Sequence, residues 1–598
     1  MDKTGIIVVS LCVALLFFWF HEQQKEAVRL EQQREQFAAT NTVVASPMAA
    51  NPTTVPTMAT SISASPFDTN ILEQTIVLTN AHARYTFTSR GGGLKLVELL
   101  DFPETVSARW TTKNSSTTNA VATLNTRAPV PVLAILGETN LIGDGNFSLT
   151  KTDYGVRAEK KLPDGLQLTK EFYLSSNYLV NASVRFENTS DKPLVLPPQE
   201  WVVGTATPMD ADDNGMYLGT MWFDGTNPQN CAPTYFSTNE TTFFIFHRTV
   251  QKEYRAGAGN VIWAAAENQF FALVAMPKTN EPASQVIARP VNLPPFAENY
   301  SSPVVGIQTM LLYPAQMLTA NSNVERQIVF YAGPKEYRTL AQIGDEFQNH
   351  ADLVMNFGTG FAGFWGIGTF FAKLLLSAMN WLHDVTTFGY GWTIVLLTIL
   401  LRAIFWPLTA ASTRSMKKMQ ALAPEVKALK EKYKDDPQKF TQKQMELWRK
   451  NKVSPMSGCL PMVIQMPVFI GFFTMIRSAI ELRGAHFLWV ADLSKPDTVF
   501  MIPGLNFPLN LLPLLMVGVM VWQAHLQPAS PGMDPSQQKM MRYMPLIFLL
   551  FLYNYSSGMA LYMTVSTALG ILQMQLMKKQ FPPTPAVSPL TPPSKSKK

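Results

Sequence analysis

Arg402 is the residue whose type and position in this sequence most strongly indicate chemistry. It lies inside the apolar run 391–408, which is long enough to cross a bilayer as a helix. A charged side chain at the bilayer centre costs about 2.5–3.5 kcal/mol on insertion scales, so it persists where it faces protein, water or a ligand. A guanidinium at that depth would attract anionic groups through its charge. The sequence therefore predicts a polar binding position inside a membrane helix.

The alternative interpretation of Arg402 is a side chain that snorkels to the membrane surface. A basic loop begins about seven residues further on, roughly 10 Å along a helix, and a long side chain covers part of that distance. Two neighbours favour a polar site instead. Thr398 precedes Arg402 by four residues and shares its helix face, and Gln465 lies at a matching depth in the oppositely directed run 458–480.

Other polar residues of the apolar runs lie toward the same side of the membrane. Gln573 falls within roughly two helical turns of the cytoplasmic boundary, as Arg402 and Gln465 do, and Ser566 and Thr567 lie somewhat deeper. A channel or a transporter would carry polar or broken-helix features along its whole path. The uneven distribution predicts a wet recess that opens to the cytoplasm and is closed toward the outside.

A basic segment, residues 409–456, follows the arginine-bearing run. Within 409–452 it holds twelve Lys/Arg against five Asp/Glu and is predicted to form two helices broken at Asp435, Asp436 and Pro437. By the positive-inside rule this hairpin lies in the cytoplasm. The lysines that we expect to be functional are Lys417, Lys418, Lys427, Lys430, Lys432 and Lys434.

Composition divides the chain into two parts with different surroundings. Charged residues make up 15% of the 598 residues, well below the roughly 25% of soluble globular chains. Residues 21–350 carry 24 Lys/Arg against 31 Asp/Glu, whereas 351–598 carry 24 against 11. The first part is therefore acidic and the second, which holds most of the apolar runs, is basic.

The first part begins with an anchor and continues as a β-domain. Residues 1–24 hold an apolar run that ends in bulky aromatic residues without a small-residue cleavage site, so they are predicted to be an uncleaved signal anchor. Residues 25–67 are predicted to be a flexible linker. Residues 68–350 are predicted to be a β-sandwich, because apolar and polar residues alternate in short runs between turn residues, as in Tyr178 to Glu187.

The second part is predicted to contain five membrane spans. Residues 361–386 are expected to form an amphipathic helix on the outer surface, because a further crossing would put the basic hairpin outside. Its wet side is expected to hold Lys373, Ser377, Asn380 and Asp384. The spans are 391–408, 458–480, 505–525, 543–557 and 559–577, and 578–598 form a basic cytoplasmic tail. With the anchor, six spans result and both termini lie inside.

Several kinds of catalytic or metal site are not supported by the sequence. The seven histidines show no metal-ligand spacing, and neither a Walker loop nor a nucleophile motif occurs. The glycine motif that starts at Gly358 is followed by apolar membrane-type sequence rather than a βαβ unit, so we do not interpret it as a dinucleotide site. Asp210, Asp212 and Asp213 suggest either a calcium site or, as we prefer, a solvated acidic turn. We predict no metal, no cofactor and no enzymatic activity.

Several motifs of the second part carry a family resemblance. They are Leu400-Leu401-Arg402-Ala403-Ile404-Phe405-Trp406-Pro407-Leu408-Thr409, Pro455-Met456-Ser457-Gly458-Cys459-Leu460-Pro461, Gln465-Met466-Pro467-Val468-Phe469, Asp534-Pro535 with Gln537-Gln538-Lys539, Met544-Pro545 and Ser557-Gly558. Together with the basic hairpin they closely resemble the YidC/Oxa family of membrane protein insertases. The signal anchor and large outer β-domain resemble the Gram-negative form, so the resemblance covers essentially the whole chain.

The resemblance implies a fold, a site and a function. The fold would be a five-helix insertase core plus a periplasmic β-supersandwich similar to sugar-mutarotase folds. Arg402 would meet incoming substrate in a groove, with Thr398 and Gln465 beside it and Tyr562 on the last helix. Met563 follows Tyr562 where members often have a second aromatic residue.

The implied activity is the insertion and folding of nascent inner-membrane proteins, alone or with the Sec translocon. A water-filled recess would shorten the dry distance that a polar tail must cross, and Arg402 would attract acidic groups on that tail. The hairpin and tail would meet the ribosome or anionic lipid, or would serve only as topology determinants. The only nucleic acid expected as a partner is ribosomal RNA.

One function from another class stays open at the level of sequence. A mutarotase-like β-domain would also suit a membrane-anchored protein that binds or acts on glycans in the periplasm. Its weakness is that a mere anchor needs no Arg402 inside a span.

Overall fold

The computed structural model describes residues 67–580 apart from 69, 107–119, 210–212, 214, 237–250, 279–280, 297–303, 359–366, 435, 452, 454–459, 503–506 and 527–534. The predicted signal anchor, almost all of the linker and most of the tail therefore lie outside the described residues, as do Asp210 and Asp212. Asp213 accepts a hydrogen bond from the Met209 amide and pairs with Lys495 at 3.8 Å, which is the behaviour of a turn acid.

The first half is a β-sandwich, as predicted. The strands of the whole chain are β1 Thr75–Thr79, β2 Ala83–Thr88, β3 Gly93–Pro103, β4 Val121–Leu124, β5 Ile135–Gly137, β6 Ser148–Lys151, β7 Gly155–Lys161, β8 Leu166–Leu174, β9 Leu179–Asn188, β10 Leu194–Leu196, β11 Gln199–Ala206, β12 Gly219–Phe223, β13 Pro228–Cys231, β14 Tyr254–Ala256, β15 Trp263–Glu267, β16 Phe271–Pro277, β17 Gln285–Leu293, β18 Val304–Tyr313, β19 Gln316–Leu318, β20 Asn323–Pro334, β21 Thr498–Ile502 and β22 Phe507–Asn510.

These strands form two large sheets and three smaller ones. The nine-stranded sheet has the order β13-β12-β15-β16-β20-β9-β8-β7-β6, and the five-stranded sheet has the order β14-β17-β18-β11-β5. A four-stranded sheet β1-β2-β3-β4 and a ribbon β10-β19 complete the domain, and β21-β22 form a hairpin between the helices.

The two large sheets pack through aromatic and β-branched side chains. In β9 the apolar positions from Val180 to Phe186 are buried and their neighbours are more exposed, which is the alternation predicted from the sequence. Trp201 of the five-stranded sheet lies 6.1 Å from Phe186 of the nine-stranded sheet, measured between ring centroids. The hydroxyls of Thr220 and Thr309 bridge the two sheets at 2.6 Å. The sandwich core is therefore formed by residues of alternating strands from both sheets.

The second half is helical. Its helices follow a single-turn helix in the β-domain, α1 Thr139–Ile142, and a helix at the end of that domain, α2 Tyr337–Glu346. They are α3 Ile367–Thr386, α4 Tyr390–Ala421, α5 Ala423–Lys432, α6 Pro437–Lys450, α7 Leu460–Ser478, α8 Leu511–Leu526, α9 Pro535–Tyr543, α10 Pro545–Leu552 and α11 Ser557–Gln580. By length and composition, two of the described helices could cross a membrane, α4 and α11, and α8 is a shorter apolar helix.

Two helices, α4 and α8, begin or end at residues other than those of the predicted spans. The helix that holds the run 391–408 does not end there: α4 continues to Ala421, 32 residues in all, despite Pro407 inside it. The predicted hairpin is thus α5 and α6 on a helical extension of α4, with the break at Asp436, which caps α6 by accepting from the Lys439 amide. Residues 507–510 of the predicted span 505–525 form β22 instead of a helix, and α8 begins at Leu511.

Helix α3 packs on α7 and contacts the β-domain. The backbones approach so closely that a Cβ on Gly471 would lie 2.5 Å from Cβ of Phe371. Two of the four residues predicted for its wet side point into protein instead: Lys373 pairs with Asp352 at 2.7 Å, and Asn380 donates to Glu481 at 2.8 Å. Ser377 and Asp384 are exposed. That part of the prediction was wrong because periodicity cannot distinguish water from a polar protein partner.

The β-domain is joined to the C-terminal end of α7 and the segment after it by polar contacts to backbone oxygens. Gln269 donates to the Arg477 carbonyl at 3.0 Å, and Arg483 donates to the carbonyls of Pro103 and Glu104, each at 2.8 Å. Arg338 and Asp384 add an ion pair at 2.6 Å. These contacts fix the domain against α3 and α7.

The Glu481→Gln variant is expected to have a higher free energy of unfolding than the native chain at neutral pH. The Glu481 carboxyl lies just beyond α7, and its Oε2 is buried without a hydrogen-bond partner among the described residues. Burial raises its pKa above the ordinary 4.5, although the hydrogen bond from Asn380 acts in the opposite direction. A carboxyl group whose pKa is higher in the folded state than in the unfolded state binds its proton more tightly when the chain is folded. Its contribution to stability is therefore complete below pH 4.5 and is lost as the pH rises through the folded-state pKa.

Denaturant unfolding of both chains between pH 4 and 8 measures this effect. The stability advantage of the glutamine variant is expected to grow as the pH rises above 4.5 and then to become constant. An advantage that does not change with pH would contradict the assignment.

Candidate functional site

Two helices present matching faces at the predicted polar site. On α11, Tyr562, Ser566, Gly570 and Gln573 are spaced by four, four and three residues, so they lie along one face. On α4 the positions 398, 402, 406 and 409 have the same spacing. Hydrogen bonds join the two faces at two levels, through Arg402 and through Gln573. We call the space along these faces, together with the C-terminal end of α8, the groove.

Arg402 is held by one hydroxyl. Its Nε and Nη2 donate to Oγ of Ser566 at 3.2 and 2.9 Å. A guanidinium has five N–H donors, so three of them, two on Nη1 and one on Nη2, have no acceptor among the described residues. Within the described part of the chain Arg402 also forms no ion pair with an Asp or Glu. The charge is thus positioned but not neutralised.

Gln523 and Gly570 complete the surroundings of this charge. A Cβ built on Gly570 would lie 3.5 Å from each Nη atom of Arg402 and 3.1 Å from Nε2 of Gln523. Gly570 is buried, whereas Arg402 and Gln523 are half-buried. Three helices, α4, α8 and α11, therefore meet at this position, each with a polar group or a bare backbone.

Gln573 and Thr398 are engaged within the helices. Nε2 of Gln573 donates to the Trp406 carbonyl at 3.4 Å and to the hydroxyl of Thr409, which ties α11 to α4 one level below Arg402. The Thr398 hydroxyl donates to the Ile394 carbonyl of its own helix at 2.7 Å, and the residue is buried. The structure thus brings Gln573 to Arg402's helix, whereas Thr398 lies one turn away with its hydroxyl occupied.

Gln465 and Tyr562 form a second polar pair. Nε2 of Gln465 donates to the Tyr562 hydroxyl at 2.8 Å, which links α7 to α11. The Tyr562 ring stacks on Phe472 of α7 with 4.0 Å between centroids, and Tyr562 is buried. Met563 is partly buried against the same apolar core. This pair joins helices beside the groove instead of presenting a free aromatic face.

The six lysines selected in the basic segment separate into two groups. Lys417 lies on the extension of α4 and donates to the Met577 carbonyl at the end of α11, at 3.0 Å. Lys418, Lys427, Lys430, Lys432 and Lys434 are exposed. Met419, Leu422 and Val453, with Trp448 against them, form a small apolar cluster at the base of the hairpin. Within helices α5 and α6, which the structure describes completely, only Val426 is buried.

Sequence reasoning missed Gln523 and Gly570 as parts of the groove. Gln523 could have been found by the reasoning that selected Gln465, because it is an amide near the inner end of an apolar run. Gly570 lies between Ser566 and Gln573 on one helix face, and that spacing was readable. That its missing side chain faces a guanidinium could not be read, because it depends on how three helices pack.

Comparison with known families gives matches over both halves of the chain. The family model described as 60Kd inner membrane protein matches residues 381–584, and the one described as YidC periplasmic domain matches residues 75–376. Together they cover the β-domain and the helices that form the groove.

Similar proteins and structures carry the same description. The membrane protein insertase YidC of Bordetella petrii is 30% identical over 530 residues, which is 84% of this chain and 82% of that protein. That of Leptospira interrogans is 32% identical over 471 residues, 71% of each chain. A crystal structure described as an active YidC insertase with the first transmembrane domain resolved is 18% identical, with a TM-score of 0.32, and covers 84% of this chain and 93% of that chain.

Proposed function

The chain belongs to the YidC family of membrane protein insertases, and from that premise we propose that its groove receives polar parts of nascent membrane proteins through Arg402. The protein is an insertase of the inner membrane with a periplasmic β-domain and is not an enzyme. Its substrates are nascent membrane proteins, which it handles in contact with the lipid bilayer.

One observation carries the proposal for the groove. Arg402 keeps three N–H donors without an acceptor among the described residues and has no acidic partner there, although a charge in a membrane helix is costly. A permanently paired arginine would be structural. One held only by a hydroxyl is available to a transient acidic or carbonyl group of a passing chain.

The mechanism follows from the distance that a polar tail must cross. The hydrocarbon core is about 30 Å thick, and a wet recess in the inner half shortens the dry part of the path. Arg402 holds acidic groups of the tail by charge while the hydrophobic segment enters the lipid along exposed apolar faces. Leu546, Leu550 and Phe551 of α10 present such a face, at 46%, 82% and 77% exposure.

We propose the topology of six spans with both termini in the cytoplasm. The spans correspond to the signal anchor, α4, α7, α8, the segment 543–557 that contains α10, and α11. Helix α9, which carries Lys539 and Arg542, precedes that segment and is separated from α10 by Met544, which has helical backbone angles. The break falls there because Pro545 has no N–H to continue the ladder.

The basic hairpin and tail are proposed to meet the ribosome or anionic lipid headgroups, with the Sec translocon as a further partner. Exposed lysines on α5 and α6 form a positively charged surface, and Val426 is the one buried residue of these two helices. Such a surface favours polyanions through charge and releases them at higher salt.

Amide hydrogen exchange is expected to be faster in α5 and α6 than in α4. Helix α4 is anchored up to the apolar cluster of Met419 and Leu422, whereas α6 has no buried residue. Few buried contacts mean a low free energy of local opening. Exchange by mass spectrometry on the full chain measures it, and protection in α5 and α6 equal to that of α4 would contradict the expectation.

The alternative, a glycan-binding or glycan-acting periplasmic protein, is not favoured. The matched relatives are insertases and the similarity extends through the groove helices as well as the β-domain. Removing most of the β-domain separates the two: an insertase is expected to retain insertion, whereas a glycan-acting protein would lose its function.

Site-directed crosslinking of stalled nascent chains tests the groove. A photoreactive residue in place of Gln523 or Gln465 is expected to crosslink to the translocated tail of a stalled client. The exposed outer position Trp381 serves as the control, since it lies on α3 away from the groove. Crosslinks from position 381 but not from positions 465 and 523 would refute the proposal.

A further inference from the structure

Gly570 is the only groove position on α11 between Tyr562 and Gln573 that carries no side chain. It is buried, and the three atoms nearest to the place of a Cβ are all nitrogen: Nε2 of Gln523 at 3.1 Å, and Nη1 and Nη2 of Arg402 at 3.5 Å each. An amide nitrogen and a guanidinium from two other helices thus both lie against the bare backbone of Gly570.

The three side-chain atoms nearest to that place are all hydrogen-bond donors. The Arg402 N–H groups left over from Ser566 have no acceptor among the described residues, and in that part of the chain the Gln523 amide donates to none either. Several donors that lie close together favour an oxygen acceptor, because one oxygen atom can accept hydrogen bonds from more than one of them. Nitrogen or carbon groups would leave these donors unsatisfied.

We propose that Gly570 is a specificity-determining position, because its missing side chain lets Arg402 and Gln523 approach α11 closely enough to bind a carboxylate of the translocated segment together. The inference rests on the proposed role of Arg402 and goes beyond it by adding a neutral donor and a steric requirement. Arg402 supplies the charge that distinguishes a carboxylate from an amide. Gln523 supplies a second donor from another helix, α8.

Gly570→Ala tests the steric part with a small change. A methyl group 3.1 Å from the Gln523 amide requires the neighbour to move by only a few tenths of an ångström, and alanine is the better helix former, so the fold is expected to survive. The methyl would, however, push the Gln523 amide away from its place beside Arg402, which weakens their joint contact with one carboxylate. Gly518→Ala is the matched control, because nothing lies within 4 Å of a Cβ at that position on α8.

The measurement is the insertion rate of one client with zero, one, two or three acids in its translocated tail, using the full chain in proteoliposomes. Gly570→Ala is expected to slow insertion of the three-acid client about tenfold, as for the loss of one hydrogen bond to a charged group. Insertion of the client without acids is expected to be affected much less, because that client offers no carboxylate to the two donors. Gln523→Leu is expected to give a loss of the same charge dependence, and Gly518→Ala none.

Arg402→Ala in the same series distinguishes a failure of the proposed role of Gly570 from a failure of the proposed function. If Arg402→Ala loses the acidic clients and Gly570→Ala does not, the role of Gly570 is refuted and the proposed function stands. If Arg402→Ala inserts all clients normally, the proposed function itself fails. Combining Gly570→Ala with Arg402→Ala is expected to add little to the loss from Arg402→Ala, because both act on one interaction. A loss that is equal for acidic and neutral clients, or that adds fully in the double variant, would make Gly570 a packing residue only.

Discussion

Arg402→Ala is expected to slow insertion of clients with three acids in the translocated tail by about ten- to a hundredfold, whereas Arg402→Lys keeps most of the rate. The contact is transient and made with many different clients, so it depends on charge more than on the bidentate geometry that distinguishes Arg from Lys. The three Arg402 N–H groups without an acceptor among the described residues are what a client group would use. Insertion measured against the number of acids in the tail gives the effect.

The same substitution is expected to leave the fold intact. Among the described residues no Asp or Glu pairs with Arg402, so its removal leaves no buried counter-ion, and only the Ser566 hydroxyl loses a partner. The control is therefore thermal unfolding of the variant beside the activity series. Equal insertion by Arg402→Ala across all clients would mean that Arg402 only snorkels. A loss of insertion that follows a loss of folded protein would point to a structural role.

Lys335→Met is expected to lower the free energy of unfolding of the β-domain by about 3–5 kcal/mol, the cost of leaving one partner of a buried ion pair alone. Nζ of Lys335 lies 2.7 Å from Oε2 of Glu267, and each side chain is only 3% exposed. Asn356 donates to the other oxygen of Glu267 at 3.1 Å. Methionine removes the positive charge and keeps the length, so the carboxylate stays buried with one neutral donor.

The change can be measured on the full chain by denaturant unfolding followed through tryptophan fluorescence, since Trp201 and Trp263 are fully buried in the β-domain. Lys335→Met combined with Glu267→Gln is expected to recover a large part of the loss, because no charge is then unpaired. Arg84→Met, at a pair 3.2 Å apart whose side chains are 47% and 25% exposed, is the control and should cost less than about 1 kcal/mol. A double variant that is less stable than Lys335→Met would contradict the argument.

The Lys335–Glu267 pair also matters for how the domain is joined to the membrane part. Lys335 follows β20 directly, and Asn356 follows α2, in the segment that leads toward α3. The pair thus anchors the end of the β-domain at the place where the chain leaves it. Weakening it is expected to loosen the domain before it affects the groove, because the groove helices have their own core and hydrogen bonds.

The sequence by itself determined the class of the protein and much of its organisation. Period-two alternation predicted the β-sandwich because burial of one sheet face is a local property of each strand, as β9 illustrates. Apolar runs and the charge division predicted a helical membrane half, and a lone arginine in such a run identified Arg402. The motifs around it carried the family, which the comparisons confirmed.

Only the tertiary structure decided which polar residues share a site. Periodicity predicted that Lys373 and Asn380 lie on the solvent-exposed side of α3, yet both contact acidic residues of neighbouring elements. A sequence pattern cannot distinguish a polar partner in the protein from water. Similar depth suggested Gln465 beside Arg402, but it bonds Tyr562 instead. Gly570 and Gln523 adjoin Arg402 because three helices cross at one level, and the buried pair of Lys335 and Glu267 joins residues far apart in the chain. Such contacts depend on helix rotation and packing distance, which no single segment encodes.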